Sequence, residues 1–345
     1  TIPILGAKGL DTFLEVYENN KSMKKVLVTG CSGFIGMHLC KSLLLRNDLV
    51  LGIDNMNGYY SVELKEARLK QLRKYNNFNF VKVDLCDKNS LELVFKNFEP
   101  QIVINLAAQA GVRYSLANPN LYIKSNILGF MNILECLKKF SVKSLIYASS
   151  SSVYGLNDRV PFKINDNQEK PISIYAVSKK SNELMANAYN YLYSINVTGL
   201  RYFTVYGPRQ RPDMAMNRLF RAALPGTFRF PMRGNGSQRR EFTFVKDIVG
   251  ATIYAGNSNL QGVAEPFDVG GGVSASLGEV MSLVEEITGR SLRVDHEPSA
   301  AGDPLITVAS TEFTEKTLNW KPTTGLREGL LEHYNSLRES VASST

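Results

Sequence analysis

An α/β chain built on a doubly wound parallel sheet, with a smaller C-terminal lobe, is predicted by three features of the sequence. Short β-rich runs alternate with helical segments through the N-terminal half, the pattern of a parallel sheet with helices on both faces. The first run, Lys25-Val-Leu-Val-Thr29, enters a turn with three spaced glycines, Gly30-Cys-Ser-Gly33-Phe-Ile-Gly36, and a helix-periodic stretch from Phe34 to Leu45 continues it. Polar residues gather where the later runs end, and strand carboxyl ends are where such sheets bind ligands.

In order, Leu49-Val-Leu-Gly-Ile53 ends at Asp54, Phe80-Val-Lys-Val83 at Asp84-Leu85, and Ile102-Val-Ile-Asn-Leu106 at Ala107-Ala108. Ser144-Leu-Ile-Tyr-Ala148 then runs into four serines, Ser149 to Ser152, and Val197-Thr-Gly-Leu-Arg201 precedes Thr204-Val-Tyr-Gly-Pro208. The glycines have mechanical reasons: Gly30 permits the tight turn, Gly33 lets the backbone approach a pyrophosphate, and Gly36 lets helix and strand pack closely. Between a strand and a helix, with Asp54 ending the next strand, they read as a Rossmann dinucleotide site. Asp54 can accept hydrogen bonds from ribose hydroxyls and would repel a 2′-phosphate. No Arg follows it directly, so NAD is favoured over NADP. The competing reading makes Asp54 a capping residue of the turn.

The 345 residues suffice for one large α/β domain with an attached lobe, or for two domains. Residues 1–22 read as an N-terminal extension, 23–205 as the NAD-binding domain with the catalytic residues, and 206–345 mainly as the substrate-binding lobe. Apolar content of 44% and charged content of 21% are those of a soluble globular protein. No apolar run reaches spanning length, so no membrane partner is expected. The first residues lack a cationic segment followed by an apolar stretch, so no secretory signal is expected in them. Cys31, Cys40, Cys86 and Cys136 form no Cys-x-x-Cys pair, which favours reduced thiols in a cytoplasmic protein over disulfides or a zinc site. His38, His296 and His333 are scattered and read as structural or solvent-facing, and no metal site is expected. A net charge of +8 invites a nucleic-acid partner. No basic run supports one, and part of the excess suits an anionic small substrate.

Tyr175 and Lys179 carry the chemistry. At i and i+4 on a helix they share a face, so the ammonium sits beside the phenol. Bringing a phenol from a pKa near 10 to about 7 needs roughly 4 kcal/mol of preferential stabilisation. The Lys charge and the positive nicotinamide ring of NAD+ together can supply it. A Tyr-x-x-x-Lys spacing alone arises by chance on exposed helices. Downstream of a dinucleotide turn it becomes a catalytic pair.

These motifs resemble, in order, those of the extended short-chain dehydrogenase/reductases of the nucleotide-sugar epimerase and dehydratase group, over about residues 24 to 335. Besides the glycine turn and Tyr175-x-x-x-Lys179, they are Asp84-Leu85, Leu106-Ala-Ala108, Ser149-Ser-Ser-Ser-Val-Tyr-Gly155 and Arg201-Tyr-Phe-Thr-Val-Tyr-Gly-Pro208. Within the group the pattern is similar to that of UDP-glucuronate 4-epimerases. Ile53-Asp-Asn-Met-Asn-Gly-Tyr-Tyr60, Leu64-Lys-Glu-Ala-Arg-Leu69, Ala110-Gly-Val-Arg-Tyr-Ser115 and Thr204 to Ala215 carry that likeness. The resemblance implies that Tyr175 is the base, Lys179 holds the tyrosinate and the nicotinamide ribose, and Ser150 hydrogen-bonds the reacting hydroxyl. It implies cofactor contacts at Gly30, Ser32, Gly33, Phe34, Ile35, Gly36, Asp54, Asn55, Asp84, Leu85, Leu106, Ala107, Ala108, Tyr175 and Lys179.

Dehydratases of the group are expected to place Asp-Glu at Ser151-Ser152, and a decarboxylating xylose synthase a Glu at Ser152. Neither acid is present. Ser151, Ser152 and Thr204 offer hydroxyl donors to a sugar carboxylate instead. Arg240 matches an Arg that grips the diphosphate, with Arg211, Arg113 and Asp303 as further substrate contacts. Glu241 and Lys246 depart from the expected Asp, as does Thr307-Val-Ala-Ser310 from an expected Ala-Asp. The leading expectation is 4-epimerisation of UDP-glucuronate, with 4-epimerisation of neutral UDP-hexoses second and a non-catalytic NAD-binding regulator third. A homodimer is expected through helices at about 118–139 and 175–193, the former with Leu121, Ile127, Phe130 and Leu134 on its apolar side. The competing reading packs that side on its own sheet.

Overall fold

The computed structural model describes residues 7–18, 20, 22–142, 144–157, 159–166, 170–257, 260, 266–298 and 305–342. Six strands, β1 (Lys25–Thr29), β2 (Leu49–Asp54), β3 (Phe78–Lys82), β4 (Ile102–Asn105), β5 (Ser144–Ser150) and β6 (Asn196–Tyr202), join the strand Phe267–Val269 in one seven-stranded sheet. From that last strand the order is β6, β5, β4, β1, β2, β3. The ladders β1–β2, β1–β4, β2–β3 and β4–β5 are parallel. All residues of β2 and β4 are buried, because a sheet covered on both faces demands apolar residues in succession instead of alternation. The order reverses between β1 and β4. At that switch point the loops after the strands diverge and leave a crevice.

Helices Lys88–Phe98 and Gly129–Lys139 deliver Leu91, Val94, Phe95 and Phe98, and Phe130, Ile133, Leu134 and Leu137, to the core around Leu51, Val103 and Leu145. Asp87 caps the first of these, accepting the Ser90 N–H at 3.1 Å, and satisfies an otherwise orphaned donor. Within residues 1–22, Ala7–Glu18 is helical, and its buried Phe13 stacks on Phe98 at 6.0 Å. That part of the extension is packed on the core.

Two compact units are present. One comprises Thr1–Val153, Ser173–Leu200 and Thr252–Pro266, the other Tyr154–Ile172, Arg201–Ala251 and Phe267–Thr345. The chain therefore passes between units several times, where the sequence suggested a single boundary after residue 205. Among the described residues, the second unit carries three small sheets. Val205–Tyr206 pairs with Thr243–Phe244, Phe230–Arg233 with Val294–Glu297, and Arg239–Glu241 lies between Ser274–Ser276 and Ile306–Thr307.

Some elements differ in detail from the sequence expectations. β3 begins at Phe78 and β5 extends through Ser150. The stretch expected as one helix over about 118–139 is α-helical at Pro119–Tyr122, π-helical at Ile123–Leu128 and α-helical again from Gly129. The extra residue of the π turn splits its apolar side. Phe130 and Leu134 enter the core while Leu121 is exposed. Among the described residues no helix is long and apolar enough to cross a membrane, no His/Cys/Asp/Glu group can hold a metal, and the four cysteines are free thiols.

Candidate active site

β1 runs into Gly30 at φ +71°, where a Cβ would lie 2.8 Å from the Ala107 nitrogen. At Gly36 a Cβ would collide with the Gly30 carbonyl oxygen. Both positions therefore exclude a side chain. The helix Phe34–Leu45 starts from Gly33 without a side-chain cap, which leaves N–H donors of its first turn for an anion. The Ser32 hydroxyl is buried beside them and has no hydrogen-bond partner among the described residues. An uncapped helix start, a backbone cradle without Cβ atoms and an orphaned buried hydroxyl together fit the pyrophosphate of a dinucleotide.

The neighbouring strand ends supply the rest of that frame. Asp54 accepts the Met56 N–H at 2.9 Å, so it does shape its turn as a capping residue would. Asn55 donates to Asp84 at 3.0 Å, and Asp84 accepts the Cys86 N–H at 2.8 Å. Two residues chosen from separate motifs are thus in contact. The Leu85 carbonyl is held by Asn132 at 2.8 Å. Leu106 and Ala107 are tied to the end of β1, their N–H groups donating to the Thr29 carbonyl (3.2 Å) and hydroxyl (3.1 Å), and Ala108 follows them, half-buried.

Tyr175 and Lys179 lie in the first turns of the helix Ile174–Tyr193, which Ser173 caps by accepting the Ala176 N–H at 3.1 Å. The Lys179 ammonium stands 6.0 Å from the centre of the Tyr175 ring, as the four-residue spacing predicts. It is buried, and Nζ donates to the Ala148 carbonyl at 2.7 Å. Burial lowers its pKa from 10.5 to about 8, because a cation away from water is disfavoured. One turn further on, Glu183 accepts from Ser149 at 2.7 Å and pairs with Lys180 at 3.2 Å. The helix is thereby pinned to β5 from two successive turns. Ser150 ends that strand, and its hydroxyl oxygen accepts from the Ser152 hydroxyl (2.8 Å) and N–H (3.2 Å). With its acceptor side engaged, Ser150 Oγ has a proton to direct elsewhere. Ser152 thus supports Ser150, and Ser151 is half-buried in the same 3-10 turn, Ser151–Tyr154.

Other expected substrate residues lie on separate elements. Arg113 is exposed in the first turn of the short helix Val112–Ala117. Thr204 lies in the bend after β6, its carbonyl accepting the Thr243 N–H at 2.9 Å. Both nitrogens of the Arg211 fork bond Asp213, at 3.0 and 2.9 Å, so that fork is already engaged by a carboxylate. Arg240 donates to the carbonyls of Arg239 (2.8 Å) and Leu305 (3.4 Å). Asp303 lies outside the described residues. Glu241, which departs from the family pattern, is buried and accepts from the N–H groups of Gly272 (2.8 Å) and Ala309. Its desolvation raises the carboxyl pKa.

Two buried polar networks, one in each unit, carried no signal as such in the sequence. Asn126, in the π turn, accepts from Gln109 N at 2.7 Å and donates to Gln109 O and Ser178 Oγ, both at 2.9 Å. No hydrophobic period announces a π turn. Tyr154 donates to Asp268 at 2.7 and 2.8 Å and accepts from Arg201 at 2.8 Å, all three buried. The arginine and tyrosine were visible only as letters of motifs.

A profile of the GDP-mannose 4,6 dehydratase family matches residues 27–333. The chain is 43% identical over 323 residues to Protein CapI of Staphylococcus aureus, covering 89% of this chain and 96% of that protein. It is 37% identical over 319 residues to the UDP-glucuronate 4-epimerase of Thermodesulfobacterium geofontis, covering 91% and 96%. Its fold matches the crystal structure of UDP-glucuronic acid 4-epimerase from Bacillus cereus in complex with UDP-glucuronic acid and NAD, with a TM-score of 0.83 and 33% identity over 91% of this chain and 99% of that one. The chain belongs to the GDP-mannose 4,6 dehydratase family and, among the extended short-chain dehydrogenase/reductases, to the NAD-dependent nucleotide-sugar epimerases.

Proposed function

We propose that this protein interconverts UDP-glucuronate and UDP-galacturonate through a transient 4-keto sugar. The observation that carries the chemistry is the buried Lys179 ammonium 6.0 Å from the Tyr175 ring. The cation favours the phenolate, and Tyr175 then removes the proton from the 4-hydroxyl. NAD+, when bound against the glycine turn, supplies the reversible hydride acceptor at C4. Ser150, its oxygen already accepting from Ser152, donates to the same sugar oxygen. Tyr175 returns the proton after the keto sugar has turned about its diphosphate link.

For the glucuronate itself, the support is the serine turn and the likeness to UDP-glucuronate 4-epimerases. Ser151 brings a hydroxyl to the end of β5 with no acid beside it, and the Ser152 hydroxyl, which donates to Ser150, would reach a carboxylate only by turning away from Ser150. Neutral donors hold a carboxylate by charge-assisted hydrogen bonds. A 4-keto glucuronate is a β-keto acid prone to lose carbon dioxide, so its carboxylate must be held where cleavage is disfavoured. Thr204, Arg113, Arg211 and Arg240 remain proposed contacts to the sugar or the nucleotide on the strength of their motifs. The free thiols suit a cytoplasmic setting.

Chromatography of the purified protein after incubation with UDP-glucuronate, UDP-glucose and UDP-N-acetylglucosamine in turn tests this reading. UDP-galacturonate is expected from the first. Turnover confined to the neutral sugars would sink it in favour of a neutral-hexose epimerase. We also infer a homodimer, supported by exposed Leu121, Ile123, Leu128, Leu184 and Leu192 on the two helical segments. A monomeric mass by light scattering at micromolar concentration would count against it.

A further inference from the structure

β1, which ends at the glycine turn, lies between β2 and β4 in the sheet. The segments that leave the carboxyl ends of those two neighbours meet each other. Tyr59, beyond β2, packs on Tyr114, beyond β4, with ring centroids 4.7 Å apart and planes inclined at 52°. Gly111, at φ +102°, makes room for this approach, since a Cβ there would lie 2.9 Å from the Tyr59 hydroxyl oxygen. A contact joining the loops of β2 and β4 must pass over the end of β1, where the crevice of such a sheet opens. We propose that Tyr59 and Tyr114 form a clasp across the dinucleotide crevice that makes NAD a retained cofactor instead of an exchanging one.

Each arm of the clasp is rooted. On the β2 side Tyr59 meets Tyr60 edge-on at 6.2 Å, and the Tyr60 ring lies under Lys65 (4.9 Å) and the buried Arg68 (5.4 Å). Arg68 donates to the Tyr60 hydroxyl at 2.6 Å and to the Ser32 carbonyl at 3.0 Å, which ties this arm to the phosphate turn itself. On the β4 side Tyr114 lies 6.5 Å from the buried Tyr122, which donates to the carbonyls of Ala110 (2.9 Å) and Gly111 (2.6 Å). The Tyr122 ring in turn meets Tyr175 edge-on at 6.1 Å. The clasp therefore runs from the glycine turn to the catalytic tyrosine through neighbouring rings. An epimerase restores its cofactor in every cycle and gains nothing by exchanging it. Losing the reduced form in mid-cycle would strand the keto sugar.

This inference rests on the cofactor reading and is independent of which sugar is used. The test compares wild type, Tyr59→Ala, Tyr114→Ala and Tyr59→Phe, each purified without added NAD and checked for folding by circular dichroism. Dinucleotide released by acid is quantified. Release is then timed by the fluorescence of protein-bound NADH chased with excess NAD+. Wild type should retain its dinucleotide. Both alanine variants should release it roughly three- to tenfold faster, the range an aromatic pair is worth, and Tyr59→Phe, which keeps the ring, should stay near wild type. If one alanine variant does not fold, the other carries the comparison from the opposite arm. Release rates equal to wild type in a folded alanine variant would overturn the clasp alone. A wild type that neither retains nor binds the dinucleotide would overturn the cofactor reading with it.

Discussion

Replacing Lys179 by methionine removes a buried charge while keeping an unbranched chain of similar length, and its two consequences have opposite signs. Displacement of the ammonium pKa from 10.5 to about 8 by burial corresponds to about 3 kcal/mol of instability while the charge is present, at roughly 1.4 kcal/mol per pH unit. Against that relief, the Ala148 carbonyl loses its 2.7 Å donor, at about 1–3 kcal/mol. The variant should thus unfold at a denaturant concentration equal to or slightly above that of wild type at pH 7. The sign with pH comes from linkage. Below about pH 8 folded and unfolded wild type both hold the proton, so this group adds no slope. Between about 8 and 10.5 only the unfolded state holds it, and wild-type stability rises with pH relative to the variant. Turnover should move the other way, falling about 10²-fold or more as the phenol loses its cation. Urea unfolding at pH 7, 9 and 10.5, alongside steady-state rates at pH 7.5, reads both effects. Wild-type activity in the variant, or a stability difference that stays constant from pH 7 to 10.5, would refute the argument.

Three further outcomes are expected. Tyr175→Phe should lower turnover about 10²- to 10⁴-fold while the purified protein still contains NAD, measured by acid release and absorbance. Thr204→Ala should reduce kcat/KM for UDP-glucuronate and leave UDP-glucose little changed, because a donor matched to a carboxylate is worth roughly 1–3 kcal/mol only to the substrate that has one; equal losses would make Thr204 a support of the strand end. Arg201→Met should destabilise the protein by about 3–5 kcal/mol in urea unfolding, since it strips a cation from the buried Tyr154–Asp268 pair and leaves a carboxylate poorly compensated.

The legible part of this protein was written in short-range spacings. The strand–turn–helix from Lys25 to Leu45 depends on residues close to one another along the chain, and so does the placement of Tyr175 over Lys179. Dihedral preferences and helical repeat act at that range, and both features are present in the structure. The helix over about 118–139 was only partly legible. Inserting one residue at the π turn, Ile123–Leu128, rotates the helix beyond it, and the insertion leaves no mark in a hydrophobic pattern.

The chain alone determined the parallel α/β architecture, the strand–glycine turn–helix and the four-residue spacing that sets Lys179 beside Tyr175. Only tertiary structure decided how those residues behave. The lowered pKa of Lys179 comes from water being excluded around it, and its hydrogen bond comes from β5. Glu241 serves the backbone of two distant loops, and Tyr59 finds Tyr114 across an intervening strand. Desolvation and contacts between remote segments depend on where the whole chain has gone, and no local window of sequence contains that information.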